Sequence, residues 1–186
     1  MIAFHGKKEE KTRILKQLRA HAKADEIIKG YYWKNGKGCA VGCTIHSGEH
    51  SEYETRFGIP QMLARLEDRI FEGLPDSEAQ KWPIQFMTAV TPGADLSRVG
   101  WQFLHWLLTD ETVNPGITHP TVRDAVKQCA DVLVPLTKGR PMDASAESAA
   151  RSAAWTASAA ARSAARSAAY SKIAKKLLEL LKETKP

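Results

Sequence analysis

Residues 60–73 read PQMLARLEDRIFEG and contain the pattern on which the fold class depends. Proline stands at the first position, apolar side chains recur three and four residues apart, and Gly73 closes the run. Proline fits the first turn of a helix and glycine fits the residue that ends one, so the stretch predicts an amphipathic helix. The apolar positions on its buried face are Met62, Leu63, Leu66, Ile70 and Phe71.

The same spacing recurs on both sides of this helix and makes the chain mainly α. Three further stretches predict amphipathic helices, and they are residues 7–29, 96–109 and 120–135. Together these helices predict a compact helical body that extends from residue 1 to about residue 140.

One segment of the body, residues 31–59, departs from the helical pattern. Asn35-Gly36 lies between an aromatic run and a short apolar run, which is typical of a two-residue β-hairpin turn. Residues 42–59 hold three glycines among polar side chains and are expected to form an ordered loop. The body is therefore expected to carry a small hairpin followed by a loop.

Composition and charge narrow the class of protein. The 186 residues are 43% hydrophobic and 26% charged, and the mean hydropathy is −0.36, which is typical of a folded soluble chain. Residues 1–38 carry 10 basic and 4 acidic groups, residues 39–142 carry 9 and 13, and residues 143–186 carry 8 and 4. The basic ends would suit a phosphate-bearing or acidic partner.

Cysteine usage and apolar runs bear on the cellular compartment. The chain has 3 cysteines, an odd number and too few for a disulfide framework. Its first residues lack the apolar core of a signal peptide, and no run approaches the roughly 18 apolar residues of a membrane span. We therefore expect a cytoplasmic protein without a membrane partner.

An alanine- and serine-rich tail follows the body over residues 143–184. Its residues 144–169 include 14 Ala, 6 Ser and 3 Arg, and alanine has the highest helix propensity, so the tail predicts one long helix. Near its end an apolar seam repeats every three or four residues at Tyr170, Ile173, Leu177 and Leu180. The helix is expected to dock on the body or to self-associate, and an exposed spacer helix is the alternative.

Cysteine and histidine concentrate in residues 38–50, GCAVGCTIHSGEH. Cys39, Cys43, His46 and His50 have spacings within the range of zinc ligands, although only two residues separate the two pairs. We expect no cofactor, and zinc is the one that this set would suit. A nucleophilic cysteine, Cys39 or Cys43 with His50 or His46 as its base, is a second hypothesis. The third is that the cysteines are buried packing residues and the histidines are solvated.

A basic aromatic patch precedes the cysteines. Tyr31, Tyr32 and Trp33 are followed by Lys34 and Lys37, and such rings can stack on bases while lysines meet phosphates. The patch could bind a nucleic acid, a nucleotide or a protein, and the same rings could equally form the core face of the hairpin.

Several motifs of the chain resemble a group of uncharacterised bacterial and phage proteins. The motifs are Gly38-Cys-Ala-Val-Gly-Cys-Thr44, Gly58-Ile-Pro60, residues 63–68, residues 70–75, and an alanine-rich tail closing on residues 176–181. The Cys39, Cys43 and His50 positions are similar across the group, whereas the His46 position is not reliably histidine. The resemblance implies a setting in phage or mobile elements, with an anti-defence or host-interaction role.

These observations favour a non-enzymatic binding or interaction protein. Its recognition surface is expected to include residues 31–52, and its partner to be another protein or a second copy of the chain. A small enzyme or zinc protein that uses residues 39–50 and a nucleic-acid or nucleotide binder that uses residues 29–37 are the two alternatives.

Overall fold

The computed structural model describes residues 1–114, 123–140, 142, 144, 145, 148, 149, 152 and 167–186. Over these residues the protein is mainly helical, with one small antiparallel hairpin, which confirms the predicted fold class. A 3-10 turn, Ala3–Gly6, comes first, and the strands are β1 (Trp33–Lys34) and β2 (Lys37–Gly38). The helices are α1 (Lys8–Lys23), α2 (Ala40–Ile45), α3 (Glu52–Phe57), α4 (Gln61–Gly73), α5 (Asp76–Ala79), α6 (Trp82–Ala89), α7 (Val99–Thr109), α8 (Arg123–Thr137) and α9 (Ser167–Glu183).

The hairpin turn follows its local sequence closely. Trp33 pairs with Gly38 and Lys34 pairs with Lys37. Asn35 and Gly36 both have positive φ angles, 51° and 82°, as a type I′ turn requires, and asparagine and glycine tolerate that region best. The predicted hairpin is therefore confirmed at the predicted turn.

The prediction of a loop over residues 42–59 is wrong, because this segment contains most of α2 and all of α3. Every residue of α2 is buried, so the helix is stabilised by packing rather than by local propensity. Its glycine is required by a close approach: a Cβ added at Gly42 or at Gly38 would overlap the backbone carbonyl of Tyr32. The distinctive motif of residues 38–44 is thus a packing motif.

The helix expected over residues 7–29 ends earlier than the sequence pattern indicated. α1 stops at Lys23, and Asp25 then takes a left-handed conformation with φ 53°. This bend brings Glu26 back toward the last turn of the helix, where its N–H donates to the carbonyl of His21 at 3.0 Å.

The chain groups into two compact units, residues 1–97 with 174–186, and residues 98–173. The first unit ends at residue 97, inside the predicted body, and the end of the tail belongs to the same unit as the first part of that body. In the first unit α2 packs against α1, α4 and α6. Its largest fully buried side chains include Phe4, Tyr53, Phe57, Phe71, Trp82 and Phe86. In the second unit α7 packs against α8.

Of the predicted long C-terminal helix, the structure describes the last part as α9, and most of residues 143–166 lie outside the described residues. Ile173, Leu177 and Leu181 are buried within the single chain. The apolar seam at the end of the tail is therefore used inside the molecule. None of the helices formed by the described residues combines the length and the apolar composition that spanning a membrane would require.

Candidate functional site

The residues singled out in the sequence all belong to the first unit, but they do not form one site. Cys39 and His50 approach a buried group of polar side chains on α3 and α4. His46 turns toward α1, and Cys43 faces backbone carbonyls. The aromatic patch lies on the hairpin beside them.

Cys43 is a fully buried residue of α2 with a structural role. Its thiol donates to the carbonyls of Gly38 at 3.3 Å and Glu26 at 3.6 Å. Burial raises the pKa of this thiol to about 12, so it stays protonated near neutral pH. The contacts connect α2 to the segment before the hairpin and to strand β2.

Cys39 occupies the N-cap of α2, where its sulfur accepts the N–H of Gly42 at 3.5 Å. Only 1% of the residue is exposed. Burial raises the pKa of its thiol well above the usual value, and the nearby Asp68 carboxylate raises it further. An activated nucleophile needs the opposite environment, with a cation or an open helix N-terminus to stabilise the thiolate.

His50 lies beside the carboxylate of Asp68 rather than beside a cysteine thiol. Its Nε2 is 3.6 Å from the Asp68 Oδ2 atom, and both side chains are largely buried. The ring of Tyr32 meets the His50 ring edge-on, with centroids 5.4 Å apart. His50 and Cys39 therefore share Asp68 as a neighbour, an acidic residue that the sequence analysis did not single out.

A buried acid next to Asp68 was also missed. Glu67 is fully buried, and its Oε2 accepts the hydroxyl of Tyr53 at 2.7 Å. Burial raises the pKa of the Glu67 carboxyl well above its usual value, with Asp68 adding to the effect. Among the described residues, no partner hydrogen-bonds the buried Glu67 Oε1 or the buried Asp68 Oδ1. Helical spacing offered a signal, because Glu67 follows Leu63 by four residues and so lies on the apolar face of α4.

His46 pairs with a histidine that the sequence analysis did not consider. Its Nε2 lies 3.0 Å from the Nε2 of His21, near the end of α1. The other ring nitrogen of His21, Nδ1, is 2.5 Å from the Glu26 Oε2 atom. We call these three residues the histidine pair with its carboxylate.

The ring of His46 is held in place from two sides. Its backbone is left-handed, with φ 56°, at the C-cap of α2. Its ring stacks on Trp33, with centroids 4.2 Å apart and an interplanar angle of 19°. Burial lowers the pKa of His46, and the neighbouring His21 and Arg56 lower it further. The imidazole is accordingly neutral near neutral pH.

The four predicted zinc ligands do not converge. Their partners are backbone carbonyls for Cys43, the Gly42 N–H for Cys39, His21 for His46 and Asp68 for His50. Within the part of the chain that the structure describes, no group of three or more His, Cys, Asp or Glu residues could hold a metal ion. The zinc site at residues 39–50 stays a prediction without geometric support.

The hairpin exposes aromatic side chains, which decides between the two roles left open for them. Tyr31 is 57% exposed and Tyr32 is 49% exposed, whereas Trp33 is half-buried against His21 and His46. Lys34 and Lys37 are exposed beside them. We call residues 31–37 the hairpin surface. Within the aromatic run Trp33 is packed most fully, and the Tyr32 ring also contacts the His50 ring.

Charges of both signs surround the hairpin surface. The ammonium group of Lys29 is occupied by the Leu74 carbonyl at 2.6 Å and by Asp76 at 2.8 Å. The backbone N–H of Gly30 donates to Glu72 at 3.2 Å. Lys34 and Lys37 are thus exposed at the turn, the exposed Arg69 interacts electrostatically with Tyr32, and acids lie close behind them.

No family model, no curated protein and no solved structure matches this chain. Function is accordingly inferred from the geometry of the hairpin surface and of two clusters beside it. One cluster is His21 with Glu26 and His46, and the other is Cys39 and His50 with the acidic residues of α4.

Proposed function

We propose that this chain is a protein-interaction protein and that the hairpin surface is the centre of its recognition surface. The observation that carries the proposal is the exposure of two adjacent tyrosines, Tyr31 and Tyr32, on a folded element. Tyrosine is enriched in interface hot spots because it supplies a large contact area and one polar group at a small entropy cost.

The backbone beneath these tyrosines is held rigidly. The N–H of Cys39 donates to the Tyr31 carbonyl at 2.7 Å. The carbonyl of Tyr32 packs against Gly38 and Gly42, where no side chain would fit. A partner would therefore meet a preorganised surface, and less binding free energy would be spent on ordering it.

The charge pattern favours a protein partner over nucleic acid. Binding to a phosphate backbone draws on several unpaired cations along one track. Here Lys34 and Lys37 lie at the turn, while Glu72 lies behind Gly30. A polar rim of mixed sign around aromatic residues is typical of protein interfaces. The host-interaction role that the resemblance implies is binding of this kind.

The test compares a double variant, Tyr31→Ser with Tyr32→Ser, with the wild type and with Val132→Ser. Val132 is a matched control because it is 46% exposed but lies on α8. Each chain is immobilised at equal density and exposed to a bacterial lysate with and without nuclease treatment, and the retained material is quantified. The best candidate is then purified and its Kd measured by calorimetry, after circular dichroism has shown that the variants are folded.

We expect one protein to be retained by the wild type and the control, and its Kd to rise about tenfold or more in the double variant. The proposal is wrong if every retained protein binds the double variant as well as the wild type. It is also wrong if the hairpin-dependent ligand is lost on nuclease treatment, because that result identifies a nucleic acid.

A further inference from the structure

We propose that His21 and His46 form a binding site for a divalent late first-row transition-metal ion, with Cu²⁺ bound most tightly and Zn²⁺ or Ni²⁺ more weakly. The two imidazoles would be the protein ligands, and water would complete the coordination. Glu26 would orient His21. This inference does not rest on the proposed recognition of a protein partner.

The distance between the two nitrogens fits a shared ion. Metal–imidazole bonds are about 2.0–2.1 Å long, so two of them span about 3.0 Å when they meet at 90° and about 3.4 Å at the tetrahedral angle. The Nε2 atoms of His21 and His46 are 3.0 Å apart. In the metal-free protein this contact is a hydrogen bond from the Nε2–H of His46 to the Nε2 of His21. Once the His46 proton moves to Nδ1, a small rotation of the rings would direct both Nε2 lone pairs at one ion beside the line that joins them.

The Glu26 contact selects the tautomer that a ligand needs. With the Nδ1–H of His21 donated to the Glu26 carboxylate at 2.5 Å, the lone pair of His21 lies on Nε2, the atom that faces His46. Metal-binding histidines usually donate their other ring N–H to a carboxylate in this way. Glu26 is itself fixed, because its carbonyl accepts the N–H of Gly38 at 2.9 Å.

His46 is equally prepared to bind. The stack on Trp33 and the left-handed backbone fix the direction of its ring, so little conformational entropy is lost when the ion binds.

The surroundings leave room and charge for a cation. His46 is exposed and His21 half-buried, so water can reach the open coordination positions. Arg56, a cation that acts on His46, is paired with Glu52 at 2.7 Å and donates to the Ile45 carbonyl at 3.0 Å. Glu26 then supplies the negative charge next to the pair. Imidazole ligands suit copper, nickel and zinc, and the usual order of affinities places Cu²⁺ first.

The experiment titrates Cu²⁺ and Zn²⁺ into the untagged, chelator-washed full chain by calorimetry, and it follows tryptophan emission in parallel. We expect one Cu²⁺ per chain, a Kd about tenfold higher in Glu26→Gln, and a larger loss in His46→Gln. Trp33→Phe should keep the binding and lose most of the copper-induced quenching, because Trp33 lies 4.2 Å from the His46 ring. His5→Gln is the control, since His5 is exposed and contacts the Thr55 carbonyl instead.

A measurement on the wild type keeps the test independent of how the variants fold. Electron paramagnetic resonance of the one-to-one Cu²⁺ complex should show hyperfine splitting from two imidazole nitrogens. The proposal is overturned if that splitting is absent, or if His5→Gln weakens binding as much as His46→Gln does.

Discussion

Replacing Glu67 by glutamine tests whether a carboxyl group in the core is protonated at neutral pH. Glu67 is fully buried beneath Tyr53 and Trp82, and burial raises the pKa of its carboxyl well above the ordinary 4.5. In the unfolded chain the group loses its proton near pH 4.5, while the folded state keeps it. The unfolded state is therefore stabilised relative to the folded state as the pH rises above 4.5.

The magnitude follows from this linkage. Each pH unit between the unfolded and the folded pKa lowers the free energy of unfolding by about 1.4 kcal/mol. Glutamine keeps the shape and accepts the Tyr53 hydroxyl, but it does not ionise, so Glu67→Gln removes this pH dependence. From pH 4.5 upward the stability of the variant should thus rise relative to the wild type, by up to about 1.4 kcal/mol per pH unit for as long as the folded protein keeps this proton.

A second contribution to the stability of the variant does not depend on pH, and it sets the difference from the wild type at pH 4.5. The amide nitrogen of the new glutamine would lie where Glu67 Oε1 has no hydrogen-bond partner among the described residues. A buried, unsatisfied polar group costs about 1–3 kcal/mol. We therefore expect Glu67→Gln to be less stable than the wild type at pH 4.5, and we expect this deficit to shrink as the pH rises.

The assay is urea unfolding at pH 4.5, 5.5, 6.5 and 7.5, followed by circular dichroism. Glu49→Gln provides the control, because Glu49 is exposed and surface substitutions change stability by about 0.5 kcal/mol or less. A difference between Glu67→Gln and the wild type that stays constant over this range would refute the reasoning. It would mean that Glu67 ionises in the folded protein as readily as in the unfolded chain.

Two further predictions concern α2. Gly42→Ala should lower the free energy of unfolding by about 3 kcal/mol or more, because its Cβ would overlap the Tyr32 carbonyl. Gly48→Ala is the control and should cost much less, because its Cβ meets the movable Tyr32 ring. Equal urea midpoints for the two variants would contradict this prediction. Cys39 and Cys43 should resist iodoacetamide in the native protein at pH 7.5. The pKa of the Cys43 thiol is raised from the ordinary 9.0 to about 12, which lowers its thiolate fraction about 1000-fold. Mass spectrometry that finds either thiol alkylated as fast as a free cysteine would revive the nucleophile hypothesis.

The local sequence was sufficient to predict the structure wherever a segment determines its own conformation. The helix at residues 61–73 and the turn at Asn35-Gly36 were both predicted, because periodicity, caps and positive-φ residues act over a few neighbours. Residues 42–59 were mistaken for a loop because glycine usually opposes helix formation. α2 overcomes that propensity by burying all of its residues against three other helices.

The candidate site was harder to predict because its partners come from distant parts of the chain. Cys39, His46 and His50 were chosen as one cluster on account of their spacing. The bend at His46, after α2, turns its ring toward His21, which lies 25 residues earlier. His50 instead faces Asp68 on α4. No spacing rule along residues 38–50 could reveal either partner.

The sequence by itself determined the helical class of the protein, the place of its hairpin and the helix at its C-terminal end. These depend on short-range torsional preferences and on apolar repeats, which are written into neighbouring residues. Tertiary structure alone decided which side chains meet. It buried both cysteines, left Tyr31 and Tyr32 exposed on the hairpin, and brought His21 to His46, because packing α2 among α1, α4 and α6 fixes positions that no local pattern encodes.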